Sequence, residues 1–518
     1  MKKLCYISTK ILISFMKKNL FIILFGFTFA SFFYYEADPF FLFEHEMNQF
    51  NSEDFSVNLN NRPTFNKNIE KDYNLFYNSW YYYNDNAPNL ENTSNRWVSR
   101  GSSFYNSIHL DYFPRFDLPF LSNNQLLLSL EPFFFTSENL SFTSYHTDPL
   151  FLALNDGAAH NERPYLSSGL RESQLILANN DFGIGYANTN MWWGPGLHNS
   201  LHMSNNTSGF KYFFIGTTSE KRISNIGYNF KYAFSKLDKN LAKPYFTGIT
   251  ADLTIHSNPI ITIGLIRSFL SGGILESQWP ETDDISMTDA MLLPFQKLFK
   301  RGLSQDSYDQ TLSIFSNVSF PKSGLKLYFE IGSNDHRFDI YDFLQHPDHT
   351  IATIFGFRKY ELFNNENLIL GMEYTNLRKT RYDNRPTPNW YNRYWYDYNL
   401  YDGRRFTAHS GADSDDFYFY IGYLLPSEKI IFSIDYERHG ISESVDISEQ
   451  EDLFFVPEFK LEFKIDARKK INKHEFFIMY EFEYLDNLGI VHQGIDQRFA
   501  KPDRKTNVFG LGYTLNIK

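Results

Sequence analysis

The sequence predicts an all-β protein, a large antiparallel transmembrane β-barrel with a minor helical portion in the periplasm or lodged as a plug. Three observations point there. Two-residue alternation of apolar and polar side chains recurs from about residue 103 to the C-terminus, as strands with one oily face require. Phe 54, Tyr 35 and Trp 7 make the chain 19% aromatic, a bias toward residues that suit pleated, half-buried surfaces. The N-terminus reads as an export signal. Alternation by itself does not say which face is outside, and a soluble sandwich shows the same pattern. Export, the number of strands, and Tyr and Phe at strand ends favour the membrane.

In chain order, Met16-Lys17-Lys18 supplies a positive region, residues 20–29 an apolar core and Thr28-Phe29-Ala30 a small-residue cleavage site. Residues 1–30 therefore read as a signal peptide that starts at Met16. A single membrane anchor is the weaker alternative, since the core falls short of the roughly 20 residues needed to span. Residues 31–102 read as an accessory periplasmic segment, rich in Asn and aromatics without clear periodicity, with one short helix around 41–50. The barrel is expected over residues 103–518.

Within that barrel region the cleanest strand signals are Phe509, Leu511, Tyr513, Leu515 and Ile517, which alternate with Gly510, Gly512, Thr514 and Asn516. Phe459, Leu461, Phe463 and Ile465 alternate with Lys460, Glu462 and Lys464. Similar runs start near 228, 325 and 368. Less perfect stretches near residues 104, 126, 183, 211, 248, 260, 312, 351, 417, 430 and 475 bring the total to on the order of sixteen to eighteen, each long enough to cross a membrane. Pro426-Ser427 and Pro321-Lys322-Ser323-Gly324 read as tight turns of the periplasmic side. Residues 276–309 and 378–416 read as long connections, the first with a helix around 287–299 interrupted by Pro294.

Several functions are excluded or set aside. The mean hydropathy of −0.40 and the lack of an 18-residue apolar run past the N-terminus argue against a polytopic helical transporter. Lys+Arg 49 against Asp+Glu 60 leaves a net charge of −11 with no basic block or zinc-finger spacing, so no nucleic acid is expected as a partner. Cys5 is the one cysteine, which removes disulfide frameworks and Cys-based metal sites. Asp335-His336 and Asp348-His349 lack metal-ligand spacing, and neither Gly-x-Ser-x-Gly nor His-Glu-x-x-His occurs. No catalytic residue, no metal and no cofactor are expected. A lipase site assembled in space from Ser and His stays open, because such triads are defined by geometry.

The most specific string is Trp192-Trp193-Gly194-Pro195-Gly196, running into Ser200-Leu201 and Ser204-Asn205. Gly permits positive φ and Pro fixes its own, so bulky rings beside this sequence imply a rigid, aromatic-backed corner. Here the chain resembles the Wzi capsule-assembly proteins, outer-membrane barrels of Gram-negative bacteria. Leu170-Arg171-Glu172-Ser173 before the motif, and Leu327-Tyr328-Phe329-Glu330 and His409-Ser410-Gly411-Ala412-Asp413-Ser414-Asp415-Asp416 after it, are further echoes. They cover about residue 166 to the C-terminus. The resemblance implies a barrel of about eighteen strands with an accessory helical portion, acting without catalysis as a lectin that helps hold capsular polysaccharide at the cell surface. It implies as partners capsular or other surface polysaccharide, outer-membrane lipid and the capsule export machinery. The motif itself reads either as a structural corner or as a direct sugar contact.

A sugar site read from the residues alone falls in the aromatic loop. Sugar rings present C–H faces to Trp and Tyr, and their hydroxyls bond to Asn, Asp and Arg. Trp390, Tyr391, Asn392, Arg393, Tyr394, Trp395, Asp397 and Tyr398 supply both parts, and Arg381, Arg385, Arg404 and Arg405 suit an acidic polymer. The same segment could instead fold inward as a plug. A porin-like channel for small solutes is the alternative function, separable because a channel needs a continuous wet path.

Overall fold

The structure is a computed structural model that describes residues 39–52, 58–63, 73–94, 97–118, 121–142, 163–273, 285–296, 308–334, 344–345, 349–379, 390–391, 396, 399–441, 457–488 and 503–517. The expected export signal lies outside these residues. Among them, twenty strands join in one sheet, two of which, Arg115–Leu118 and Lys221–Ile223, are short side pieces. The other eighteen form a ring. They are β1 Tyr73–Asn84, β2 Gly101–Tyr112, β3 Leu121–Ser137, β4 Tyr165–Asn179, β5 Phe182–Thr189 and β6 Phe210–Thr217. Next come β7 Ile226–Lys236, β8 Tyr245–Ile255, β9 Ile260–Ser271, β10 Tyr308–Phe320, β11 Leu325–Asn334 and β12 Ile351–Leu362. The last are β13 Asn365–Asn376, β14 Ser414–Leu424, β15 Glu428–His439, β16 Glu458–Ile471, β17 His474–Asp486 and β18 Arg504–Asn516.

Each strand pairs antiparallel with its sequence neighbours, and β18 pairs with β1 to close the barrel, so among the described residues the ring itself has no open edge. Closure brings in β1, upstream of the expected boundary at residue 103, so the barrel begins about thirty residues earlier than the alternation suggests.

The faces are inverted relative to a soluble sheet. On β11, Leu327, Phe329 and Ile331 are 37%, 41% and 39% exposed, whereas Lys326, Tyr328 and Glu330 between them are 6%, 2% and 0% exposed. Water would not tolerate so wide an apolar belt, so the outside of this barrel faces lipid. Tyr112, Phe182, Tyr423 and Phe476 at one end of the strands, and Tyr83, Phe104, Phe417 and Tyr436 at the other, point outward as interface aromatics.

One barrel end carries short turns, including Pro321–Ser323 closed by Gly324 at φ +57°, and the β14–β15 turn at Pro426-Ser427. By the usual asymmetry of such barrels this end is periplasmic. The helix α1, Pro39–Ser52, enters the lumen there and packs Phe40, Leu42 and Phe43 on Tyr360, Ile369, Tyr420 and Ile431 of the wall. At the opposite end, the described residues of connections 85–100, 190–209 and 377–413 fold inward and pack in the lumen a core that includes Trp193, Met203, Phe210, Phe246 and Phe406. The helix α2, Met287–Leu292, ends in a 3-10 turn at Leu293–Phe295 that holds Pro294. Its Ala290, with Ile285, packs on Tyr232 and Phe234, which lie on the lipid-side face of β7.

Candidate functional site

The Trp-Trp-Gly-Pro-Gly segment forms the floor of the plug. Trp192 and Trp193, 1% and 0% exposed, pair antiparallel with Arg62 and Asn61 of the segment that follows α1, so the N-terminal chain threads into the lumen to meet the motif. The Arg62 guanidinium lies 4.8 Å over the Trp192 ring. Trp193 fits because β8 offers Gly248, where any Cβ would lie 2.5 Å from its ring. Gly196 is equally constrained, since a Cβ would sit 2.1 Å from the Asn199 carbonyl oxygen.

The wall supplies the partners that this corner needs. Glu373 of β13 accepts the backbone N–H groups of Leu197 at 2.6 Å, His198 at 3.1 Å and Asn199 at 2.7 Å, and the Tyr328 hydroxyl at 2.8 Å. A carboxylate at three consecutive N–H groups holds a loop through charge-assisted bonds. Arg358 donates to the Pro195 carbonyl at 2.7 Å. Glu373 and Arg358 thus anchor the motif segment to the wall.

Trp390 and Tyr391 of the aromatic loop also lie inside, 3% and 0% exposed, against Leu201 and Tyr328. Tyr391 donates to the Leu201 carbonyl at 3.2 Å. Arg404 and Arg405 are buried in the plug, the first with its guanidinium 4.3 Å over Trp97. Arg381, Arg385, Asn392, Arg393, Tyr394, Trp395, Asp397 and Tyr398 lie outside the described residues, as do Asp335, His336 and Asp348.

The folded chain gathers a cluster that sequence spacing does not show. The register sets Asp416 opposite Glu437 and Glu437 opposite Lys460, and sets Asp435 opposite Glu462. Three inward connections then deliver Glu91, His198 and His409 to this patch. Lys460 contacts Glu91, Glu437 at 2.6 Å, Glu462 at 3.4 Å and Asp435 at 3.6 Å. The His198 ring stacks on Tyr418 at 4.0 Å and meets His409 edge-on at 4.3 Å. Burial, with His409 beside it, pushes the His198 imidazole well below its ordinary range. For His409 burial acts the same way, but Glu91, Asp416 and Glu437 outweigh it and hold the ring well above that range. The signal was present as the polar face of neighbouring strands, where Asp435, Glu437, Glu462, Glu481 and Glu483 recur at two-residue spacing. Only the register reveals that they meet.

Beside the cluster lies a cavity of about 150 Å³ walled by Trp80, Tyr82, Tyr418 and Phe477 and edged by Lys464, Arg468, Ser433 and Asn92. An interior cavity of that size holds one six-membered ring. Trp80 and Phe477 lie 4.9 Å apart, centroid to centroid. Glu91, Thr93, Leu197 and His198 cap it on the long-loop side, while Arg468, Ile431 and Phe477 extend it toward the periplasmic end. His202 is a separate buried imidazole, bonded to Ser268 at 2.8 Å and Ser313 at 2.9 Å and depressed by burial to about 3. It faces the filled lumen rather than lipid.

The family model described as capsule assembly protein Wzi matches residues 161–494. Among solved structures the chain is similar to one described as Wzi, an outer membrane protein involved in group 1 capsule assembly in Escherichia coli and a carbohydrate-binding β-barrel. That likeness has a TM-score of 0.57 and 9% identity, and covers 91% of this chain and 97% of that one. Weaker likenesses are Acinetobacter baumannii OccAB4, at TM-score 0.40 and 10% identity over 87% of this chain and 100% of that one, and Pseudomonas aeruginosa OccK5, at 0.42 and 10% over 86% and 98%. No curated protein sequence matches.

Proposed function

The chain belongs to the Wzi family of capsule assembly proteins, and from that premise we propose that it is a non-catalytic outer-membrane lectin that binds surface polysaccharide and assists capsule assembly or retention. The observation that carries this reading is the ring-sized cavity beside the plug, with aromatic faces on its walls and cationic and hydroxyl groups at its edge. Apolar C–H faces of a pyranose pack on such rings, and its hydroxyls need such donors and acceptors. Lys464 and Arg468 offer donors to sugar hydroxyls, and Glu91, Glu462 and Asp466 of the same lining offer acceptors. The E. coli Wzi structure, described as carbohydrate-binding, supports the same class of ligand.

The aromatic loop adds contacts at the cell surface through Arg381, Arg385, Asn392, Arg393, Tyr394, Trp395 and Tyr398, with Trp390 and Tyr391 as its buried roots. Outer-membrane lipid covers the apolar belt, and the capsule export machinery delivers the polymer. A porin-like channel is the second reading. The filled lumen weighs against it, because a channel needs a continuous wet path.

Binding of capsular oligosaccharide to the purified barrel, followed by tryptophan fluorescence, tests the proposal. Trp80→Ala should weaken binding about tenfold, or about 1.4 kcal/mol, with the barrel still folded. Deleting residues 381–389 should reduce polysaccharide retention on cells. Unchanged affinity in Trp80→Ala removes the cavity from the site, and steady large currents in a planar bilayer favour the channel.

A further inference from the structure

We propose that Glu91, His198, His409 and Asp435 bind a divalent transition-metal cation with zinc-like preferences, and that the ion clamps the plug to the barrel wall. One donor atom from each of the four lies within 4.8 Å of the others. His409 Nε2 is 2.8 Å from Glu91 Oε2, His198 Nε2 is 3.2 Å from Asp435 Oδ2 and 3.9 Å from Glu91 Oε2. Four ligands at about 2.0–2.2 Å around a tetrahedral ion stand about 3.3–3.6 Å from one another. The observed separations straddle that value.

The orientation of the donors is the second and independent observation. Asp435 is 1% exposed, yet neither of its oxygens accepts a hydrogen bond. His409 is 2% exposed; its Nδ1 makes none, and its Nε2 lies among Glu91, Asp416 and Glu437 without a well-aimed bond to any of them, as do His198 Nε2 and Glu91 Oε2 with their neighbours. These atoms come close without aiming at each other, which suits convergence on a common centre. Buried polar atoms left that way are costly unless a further group satisfies them.

Charge leads to the same conclusion. Among the described residues, the carboxylates of Glu91, Asp435, Glu437 and Glu462 all lie within 4.0 Å of the one ammonium of Lys460. His439, 2.7 Å from Glu437, offsets part of that charge, and a cation held between Glu91 and Asp435 would offset more of it. Lys460 engages Glu91 through Oε1, which leaves Oε2 for the ion. Two imidazoles with two carboxylates select a borderline cation of the zinc type over calcium or magnesium, which favour all-oxygen sites.

The four ligands come from four parts of the chain. Glu91 lies in connection 85–100, His198 in the motif connection, His409 in connection 377–413, and Asp435 on β15 of the wall. An ion here would tie three inward connections to one strand. The inference does not depend on sugar binding.

The test is calorimetric titration of chelator-treated, detergent-solubilised protein with Zn²⁺ alone. One ion per chain is expected, with Glu91→Gln and Asp435→Asn each weakening uptake at least tenfold and His474→Gln, at a periplasmic turn, leaving it unchanged. X-ray absorption of the loaded protein should show only nitrogen and oxygen neighbours at about 2.0–2.1 Å with imidazole scattering. Both acidic variants keep side-chain shape, and their circular dichroism should match the parent. No uptake, or uptake indifferent to both variants, overturns the proposal.

Discussion

Two buried ionic groups occupy opposite ends of the lumen and differ in how fully they are matched. At the periplasmic end Glu46 of α1, 1% exposed, receives Lys326 at 2.7 Å, Arg358 at 2.8 Å and the Tyr360 hydroxyl at 2.5 Å. Burial alone would raise its pKa, but Arg358 and Lys326 outweigh burial and hold the carboxyl below its usual range. Behind it, Glu373 is filled by three backbone N–H groups and a tyrosine hydroxyl. On the long-loop side of the lumen, several carboxylates share Lys460, and the side-chain oxygens of Asp435 and the ring nitrogens of His409 make no well-aimed hydrogen bond. The difference separates a dock, where polar groups complete one another, from a site whose groups await a further partner.

The largest effect is expected from opening the dock. Glu46→Ala leaves Lys326 and Arg358 buried without their carboxylate, a change that typically destabilises by about 3–5 kcal/mol. Denaturant unfolding of the purified barrel should report that loss, and protease should cut the α1 segment faster. A loss below about 1 kcal/mol would erase the distinction drawn between the two groups.

How much of this was legible follows from what each strand packs against. Sixteen of the strands were readable from alternation, most of them because their lumen faces are polar and their outer faces apolar, although β6 turns Phe210, Tyr212 and Phe214 inward. β1 was missed because its lumen face carries Phe76, Trp80 and Tyr82 for plug and cavity, so both faces are aromatic and the contrast disappears. β4 was missed for another reason. Leu166 and Leu170 point outward before an irregularity at Glu172, φ +42°, and Leu175 and Leu177 after it, so the phase flips in mid-strand. α1 was legible as a helix around 41–50, and α2 as a helix broken by Pro294. The motif's chemistry was legible as a rigid corner, but its partners Glu373, Arg358 and Asn61 are distant in sequence. The histidine and carboxylate cluster was hidden because each member looks like an ordinary solvated residue until register and inward loops bring them together.

A smaller effect should follow at the motif. Glu373→Gln keeps size and one acceptor oxygen but removes the charge that three N–H groups share, and bonds to charged groups contribute about 1.5–3 kcal/mol. A loss of about 2 kcal/mol is expected, with faster proteolysis in connection 190–209 and no change in β-sheet circular dichroism. If stability is unchanged, the corner is held by the packing of Trp192 and Trp193 alone, and the wall carboxylate is incidental.

The smallest effect belongs to a charge pair outside both groups. Lys469 and Glu428 meet at 2.8 Å beside a periplasmic turn, with side chains 59% and 53% exposed. Water already solvates both ions and salt screens them, so such pairs contribute little or nothing measurable. Glu428→Gln should leave the unfolding midpoint within error of the parent at low and at high salt. A loss comparable to that of Glu46→Ala would mean that ion pairing as such, rather than burial with a full set of partners, stabilises this barrel. The dock and the cluster would then differ in degree only, and the unmet groups at Asp435 and His409 would lose their standing as the mark of a binding site.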